Sequence, residues 1–509
     1  MVGLLPPPVP IAMNLKVCLV ASEITPFAKT GGLADVVAGL GRALGREGAD
    51  VRLFLPLYPR IATGEWQLED LDPAEAPGID ALSMTFGERT LAASIRVTRL
   101  PGSDVKVYLV RCDELFHGDE LYGGDDELLR FALLSRATLE TCQRWGWAPD
   151  VIHCNDWHTA AIPLFLKLNY GWDDLFALTR TVLTIHNTGY QGLFPIDVLK
   201  DLGWERNREL LYREDVDAGV VNLLKTGLLY ADTITTVSRT YAREIQTEDL
   251  GAGLQDLLSA RSDSLFGIVN GVDYGDWDPA RDPHIEQHYS ADDLSGKAAA
   301  KRALLERFDL EPEPGDGPGA PLLGIVSRMT GQKGFELLPD ALAVLLKQDG
   351  VRLVVLGSGE EKYETYFQWL RDTFPGRVGV YFGYSEQLAH QIEAGSDLFL
   401  MPSRYEPCGL NQMYSLRYGT VPVVRRTGGL ADTVVDFDAA TGEGTGFLFD
   451  EFTSEAFFQA ARAALSVYRQ PDAWRRLMRN GMAQDFSWEA RVHDYLSLYQ
   501  SLLATPQAR

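Results

Sequence analysis

Short apolar runs alternate with helix-patterned stretches along almost the whole chain, and this alternation narrows the fold to parallel α/β sheets. In the first half the strand candidates are residues 16–21, 51–56, 105–111, 151–156, 181–186, 233–238 and 266–271. Helical patterns at 31–46, 127–145 and 159–168 fall between them. The pattern then restarts, with strand candidates at 322–327, 351–357, 378–383, 397–403 and 420–425. Two doubly wound, Rossmann-like domains account for this better than one very wide sheet, and 509 residues exceed what a single core organises. The expected division is a disordered extension at 1–13, a first domain at 14–270, a second at 271–485, and a C-terminal helix at 486–509. That helix either caps its own neighbourhood or crosses back to the first domain. The Pro/Gly-rich stretch 311–321 reads as a linker or as a surface loop inside the second domain. Its place just before a strand favours the loop.

Composition removes several classes of function. A net charge of −24 argues against nucleic acid or an anionic membrane as partner. No apolar run reaches the ~20 residues that span a bilayer. The N-terminus lacks a basic stretch before its short, proline-interrupted apolar run, so it reads poorly as a secretory signal, and Met13 is a plausible alternative start. The five cysteines are odd in number and form no CxxC pair. A reducing, cytoplasmic setting is therefore expected.

The hexapeptide TGGLAD occurs twice, at 30–35 after Lys29 and at 427–432 after Arg426. Each copy follows a strand and opens a helix. Glycines there let backbone approach a ligand, and free N–H groups with the helix dipole attract anions. The candidate contacts are Lys29, Gly31, Gly32 and Asp35 in the first copy, and Thr427 and Gly428 in the second. The alternative is two unrelated tight turns. "SRMTGQKG" at 327–334 places Arg328 and Lys333 in another glycine turn, without P-loop spacing. Two cations among glycines suit a diphosphate. In "SRYEPCGL" at 403–410 the Glu406 carboxylate can accept sugar hydroxyls. Lysine is scarce, 11 of 47 basic residues, yet Lys29 and Lys333 both stand in glycine turns. A compact point charge is a different requirement from the planar fork of arginine. In "VIHCNDWHTA" a metal set of His153, Cys154, Asp156 and His158 is disfavoured, because alternation sends His153 and Cys154 to opposite faces. Asp156 and His158 read better as strand-end residues of a ligand cleft, as do His186 and Asn187 in "TIHNTGYQG".

With these motifs assembled, the chain resembles bacterial glycogen synthases and plant starch synthases. The carrying segments are "KTGGLADVV", "HCNDWHTA", "TIHNTGYQG", "NGVDYGDWDP", "SRMTGQKG", "GYSE", "YEPCGLNQMYS", "RTGGLADTV" and "FSWEARVHDYLSLY", in family order over roughly residues 14–505. "GLNQ" stands where the family more often has GLTQ, and 1–13 and 311–321 look lineage-specific. The resemblance implies a GT-B fold, two facing Rossmann-like domains with an interdomain cleft. It implies a retaining transfer of glucose from ADP-glucose to the non-reducing end of an α-1,4-glucan or glycogen, without metal or other cofactor. It also implies residue roles. Lys29 binds the nucleotide sugar, and Arg328 and Lys333 bind its diphosphate. Glu406, with the Cys408-Gly409-Leu410 backbone, holds the glucose or the charge developing on it. His186 lies under the sugar, and Asp156, His158, Asn187, Asn270 and Tyr384 line the site. A glycan phosphorylase would need a pyridoxal-phosphate lysine, for which the lysine-poor second half offers few candidates. A non-catalytic glucan- or nucleotide-binding protein of the same fold would be expected to lose Lys29, Arg328, Lys333 or Glu406, and all are present. Cys408 sits where a helix start would activate a thiol, so alkylation is expected to inactivate the protein and ADP-glucose to protect it; the alternative is a buried, inert thiol.

Overall fold

The structure, a computed structural model, describes Gly3 and residues 15–71, 81–118, 120–311 and 319–505. The extension at 1–13, Gly3 aside, and most of the 311–321 stretch lie outside the described residues. The chain separates into two compact units, Met1–Gly271 with Trp488–Arg509, and Val272–Ser487.

The first unit is built on a sheet of ten described strands. Seven run in the order Leu265–Gly267, Thr233–Thr236, Arg180–Ile185, Val151–Asn155, Lys16–Val20, Asp50–Pro56 and Lys106–Arg111, each pair parallel. The central ones are continuous apolar runs: Val17 to Val20 are wholly buried, as a parallel strand covered on both faces requires. Beyond Lys106–Arg111 the sheet turns antiparallel, through Arg89–Arg99, which pairs with both Leu82–Phe86 and Glu69–Asp70. The alternation of buried and exposed residues in LSMTF, with Leu82, Met84 and Phe86 inside, marks a strand with one wet face. The sequence reading had no strand in 57–104; a run of that kind is shorter in its apolar signal than a buried parallel strand.

The second unit carries six parallel strands in the order Val378–Phe382, Arg352–Gly357, Leu322–Val326, Leu398–Met401, Val421–Arg425 and Phe447–Phe449. The order reverses at Leu322–Val326, whose neighbours come from opposite winding directions. A doubly wound sheet binds ligands outside the carboxyl ends of its strands at such a point. The segments "SRMTGQKG" and "SRYEPCGL" leave from Leu322–Val326 and its neighbour Leu398–Met401.

The last helix, Trp488–Ala504, belongs to the first unit. Trp488 is buried against two glycines that leave space for its ring, Gly39 in the helix Gly32–Arg46 and Gly271 at the end of the unit. A Cβ at Gly39 would stand 1.9 Å from the indole nitrogen. Alanine raises helix propensity by up to about 1 kcal/mol over glycine, while overpacking costs about 1–3 kcal/mol. With a clash this close the second effect wins. Gly39→Ala is therefore expected to destabilise the first unit despite its better propensity, and a urea melt in which the variant equals or exceeds the parent would contradict this packing.

Candidate active site

The two copies of TGGLAD open the helices Gly32–Arg46 and Gly428–Thr433. Some of their amides already have partners inside the fold. In the first copy the Glu23 carboxylate takes the amide hydrogens of Thr30 and Gly31, the latter at 3.2 Å, and the Thr30 hydroxyl at 2.6 Å. In the second, the Gly429 amide donates to the Glu406 carbonyl at 3.0 Å. Gly428, at φ +45, has no room for a side chain, since a Cβ would lie 1.9 Å from that same carbonyl oxygen. One hexapeptide thus closes on a side-chain carboxylate in one unit and on main chain in the other.

In the second unit the turns at 328–334 and 403–410 are joined. The Arg404 amide donates to the Gln332 carbonyl at 2.9 Å. Lys333 Nζ meets Glu406 Oε2 at 2.7 Å, and Ser403 Oγ donates to the same oxygen at 3.0 Å. Glu406 is buried and Lys333 largely so. Gly334, at φ +73, lets the turn pass so close that a Cβ would lie 1.8 Å from the Pro402 carbonyl oxygen. Arg328 is exposed beside this pair in sequence. Gly409 and Leu410 lead into the helix Asn411–Arg417, where Asn411 Nδ2 donates to the Val326 carbonyl at 2.8 Å. The asparagine that departs from the family pattern therefore ties this turn to the strand Leu322–Val326. Cys408 is buried at 4% exposure, and the helix starts three residues beyond it. Alkylation of its thiol then requires the turn to open, a slower route than the sequence reading anticipated. Thr427 is buried, and Tyr384 is 75% exposed after the edge strand Val378–Phe382.

In the first unit Lys29 Nζ pairs with Asp35 at 2.9 Å, and Thr25 donates to the same carboxylate at 2.8 Å. The strand Val151–Asn155 delivers Asp156 at φ +54, a left-handed conformation that strains a side chain of this type. The strain is held by the Asp156 amide bonding to the Thr184 carbonyl and by the His186 amide donating to Asp156 Oδ1 at 2.7 Å. Burial pushes the Asp156 carboxyl up to about 7, against the pull of backbone bonds from His186 and Asn187. Asn155 Nδ2 donates to the Val20 carbonyl, so its Oδ1 faces His186 Nε2, 2.9 Å away. That nitrogen then carries the hydrogen and Nδ1 is left as an acceptor. Asn187 takes the Gly189 amide at 2.9 Å. His158 stacks among Trp157, Phe131 and Tyr122 at 4.1, 4.5 and 4.8 Å between ring centres. Its Nδ1 is buried without a hydrogen-bond partner among the described residues, and so is Asn270 Oδ1. Burial first, and then the Arg130 cation, hold the His158 imidazole down to about 3.

The structure thus brings Lys333 and Glu406 together. It places Lys29 with Asp35 across the start of the helix Gly32–Arg46, and Asp156, His186 and Asn187 at two adjacent strand ends. The residues the sequence reading missed are Glu23, which lies outside every quoted motif, and Asn155 and Ser403, which stand inside "HCNDWHTA" and "SRYEPCGL" but were not singled out there. Their importance lies in the donors and acceptors they meet across the fold. Among the described residues no group of three or more His, Cys, Asp or Glu could hold a metal ion, and no helix is long and apolar enough to cross a membrane.

His153 is buried mid-strand, with Tyr499 Oη 2.6 Å from Nδ1 and Thr184 Oγ1 2.5 Å from Nε2. Burial holds its imidazole down to about 3. A group whose folded value is depressed contributes stability above its unfolded value, about 6.5, and loses it as pH falls toward the folded value. Asp156, raised, runs the other way: its contribution is present at low pH and is lost as pH rises through about 7. His153→Gln should therefore flatten the acid side of the stability profile by about 1.4 kcal/mol per pH unit between roughly pH 6 and 4. Urea melts across that range check this, and parallel profiles for variant and parent would refute it.

The starch synthase catalytic domain family matches residues 16–260, and the glycosyl transferases group 1 family matches residues 307–480. A glycogen synthase of Geotalea daltonii is 44% identical over 96% of this chain and 99% of its own. One from Thioalkalivibrio sulfidiphilus is 45% identical over 96% of this chain and 100% of its own. Among solved structures, the catalytic domain of starch synthase IV from Arabidopsis thaliana, bound to ADP and acarbose, is 34% identical with a TM-score of 0.87, covering 97% of this chain and 100% of that one. A sucrose-phosphate synthase from Thermosynechococcus elongatus, 18% identical with a TM-score of 0.59 over 96% of this chain and 100% of its own, shares the fold. Both units are of the GT-B type, and the chain belongs to the glycogen synthase family of glycosyltransferases.

Proposed function

We propose that the chain transfers glucose from ADP-glucose to the non-reducing 4-hydroxyl of an α-1,4-glucan, with retained configuration. The observation that carries this reading is the pair of Lys333 with the buried Glu406 at the carboxyl ends of the second sheet. A cation for the diphosphate and a carboxylate for the sugar stand within one hydrogen bond of each other. That is the spacing a nucleotide sugar imposes where phosphate meets anomeric carbon. The ADP bound to the Arabidopsis relative supports adenine as the base.

In this reading the leaving group is ADP, and its growing negative charge is met by Arg328 and Lys333. Positive charge builds on the anomeric carbon as the bond to phosphate lengthens, and Glu406 lies on the sugar side to offset it. This is electrostatic stabilisation by preformed groups. The Lys333–Glu406 pair is already assembled, so the site need not order long side chains when the ligand enters. His186, with Nε2 fixed by Asn155, offers an acceptor to the sugar, and Asn270 Oδ1 supplies another. Lys29 acts on the nucleotide sugar from the first unit and chiefly in the reacting state.

ADP release, measured with and without glycogen, tests the activity: release that depends on glucan is expected, and none would overturn it. Titrating ADP tests the roles. Lys333→Gln should weaken ADP binding by about 1.5–3 kcal/mol, because it loses a charge-assisted contact and leaves Glu406 buried without its cation. Lys29→Gln should keep most of the ADP affinity and lower kcat, since an interaction made near the transition state is read in kcat. Equal losses of ADP affinity in the two variants would refute the division of roles.

A further inference from the structure

We propose that Glu23, braced by Tyr122, is the positioning residue that sets the Thr30–Gly31 turn and, through it, the placement of Lys29. Glu23 follows the strand Lys16–Val20 and is 3% exposed. A carboxylate buried to that degree needs donors, and here every one comes from an element around the turn. One oxygen accepts the Thr30 and Gly31 amides; the other accepts the Thr30 hydroxyl and the Tyr122 hydroxyl. The Tyr122 hydroxyl also lies 3.0 Å from Ser22 Oγ, and its ring packs 4.8 Å from that of His158. Glu23 thereby links the strand end, the segment carrying Tyr122, and the first glycine turn.

Lys29 is the residue just before that turn, and its Nζ is drawn to Asp35 in the first turn of the helix that follows. With Thr30 and Gly31 held by Glu23, the base of the Lys29 side chain has a fixed origin, and its tip has a resting partner. The Thr30 and Gly31 amides of the first TGG turn are therefore committed to an internal carboxylate, and Lys29 is the charged group beside this turn that meets the ligand.

This inference rests on the role given to Lys29 above, and the experiment separates the two. Glu23→Gln replaces one acceptor oxygen by an NH2 group that faces donors, and so loosens the turn with almost no change of volume. It should lower kcat by about tenfold or more while ADP affinity stays within about twofold of the parent. A residue acting through Lys29 has nothing left to position once Lys29 is gone. In a Lys29→Gln background the further substitution Glu23→Gln should then change kcat by less than about twofold, the signature of two coupled sites. Tyr122→Phe keeps the ring, removes one donor and should lower kcat by about threefold with the same ADP affinity; it carries the comparison if Glu23→Gln does not fold. If Glu23→Gln keeps the parental kcat, or lowers kcat by the same factor with and without Lys29, the brace is wrong. If Lys29→Gln itself leaves kcat unchanged, the role of Lys29 is wrong and the brace falls with it.

Discussion

A parallel sheet covered on both faces has no room for unpaired polar side chains along its strands, and the chemistry of this protein collects where the strands end. Val17 to Val20, and Leu353 to Val355 in the second unit, are wholly buried. A polar group that enters the layers can be fully partnered there. His153 is the test case: each ring nitrogen faces a hydroxyl, one of them delivered by Tyr499 from the C-terminal helix. Beyond the strand ends the rule relaxes. There the structure holds a strained Asp156, an unpartnered Asn270 oxygen and a run of glycine turns.

A second regularity follows from burial at those ends. The charges expected to meet a ligand are matched internally: Lys333 by Glu406, Lys29 by Asp35, and the first turn's amides by Glu23. A buried ion that loses its partner costs several kcal/mol, so the buried carboxylates Glu406 and Glu23 persist only if the protein supplies counter-groups or donors. A ligand that enters then exchanges partners, and does not simply fill open sites. Discrimination can arise from this, because an anion that reaches Lys333 without offering donors to Glu406 leaves that carboxylate worse placed than before.

Much of this was legible in the sequence, and the limits are physical. The alternation of strands and helices, the restart near residue 322, and the helix Glu127–Trp145 could be read because buried parallel strands and amphipathic helices leave long, periodic signals. The hairpin Leu82–Phe86 with Arg89–Arg99 was not, because its apolar residues stand singly between polar or small ones and form no continuous run like those of the buried parallel strands. Lys333 and Glu406 were legible as members of glycine turns, but their contact, 73 positions apart, was not. Glu23 was invisible as a functional group. An acid in "ASEIT" is unremarkable until the fold brings the Thr30 amide and the Tyr122 hydroxyl to it, and those donors lie 7 and 99 positions away.

The repeated hexapeptide shows how little a local motif decides. Both copies build the same element, a glycine turn that starts a helix after a strand, because Thr-Gly-Gly permits that backbone in either unit. What the turn does is set by what lies opposite its amides. In the first unit a carboxylate stands there, and Lys29 just before the turn pairs with Asp35 within it. In the second the Glu406 carbonyl stands there, with Gly428 packed too tightly for any side chain, and the turn becomes the floor beneath a residue that carries charge. The same six residues therefore orient a cation in one place and seat a carboxylate-bearing loop in the other, and the difference between them is written in the residues they touch.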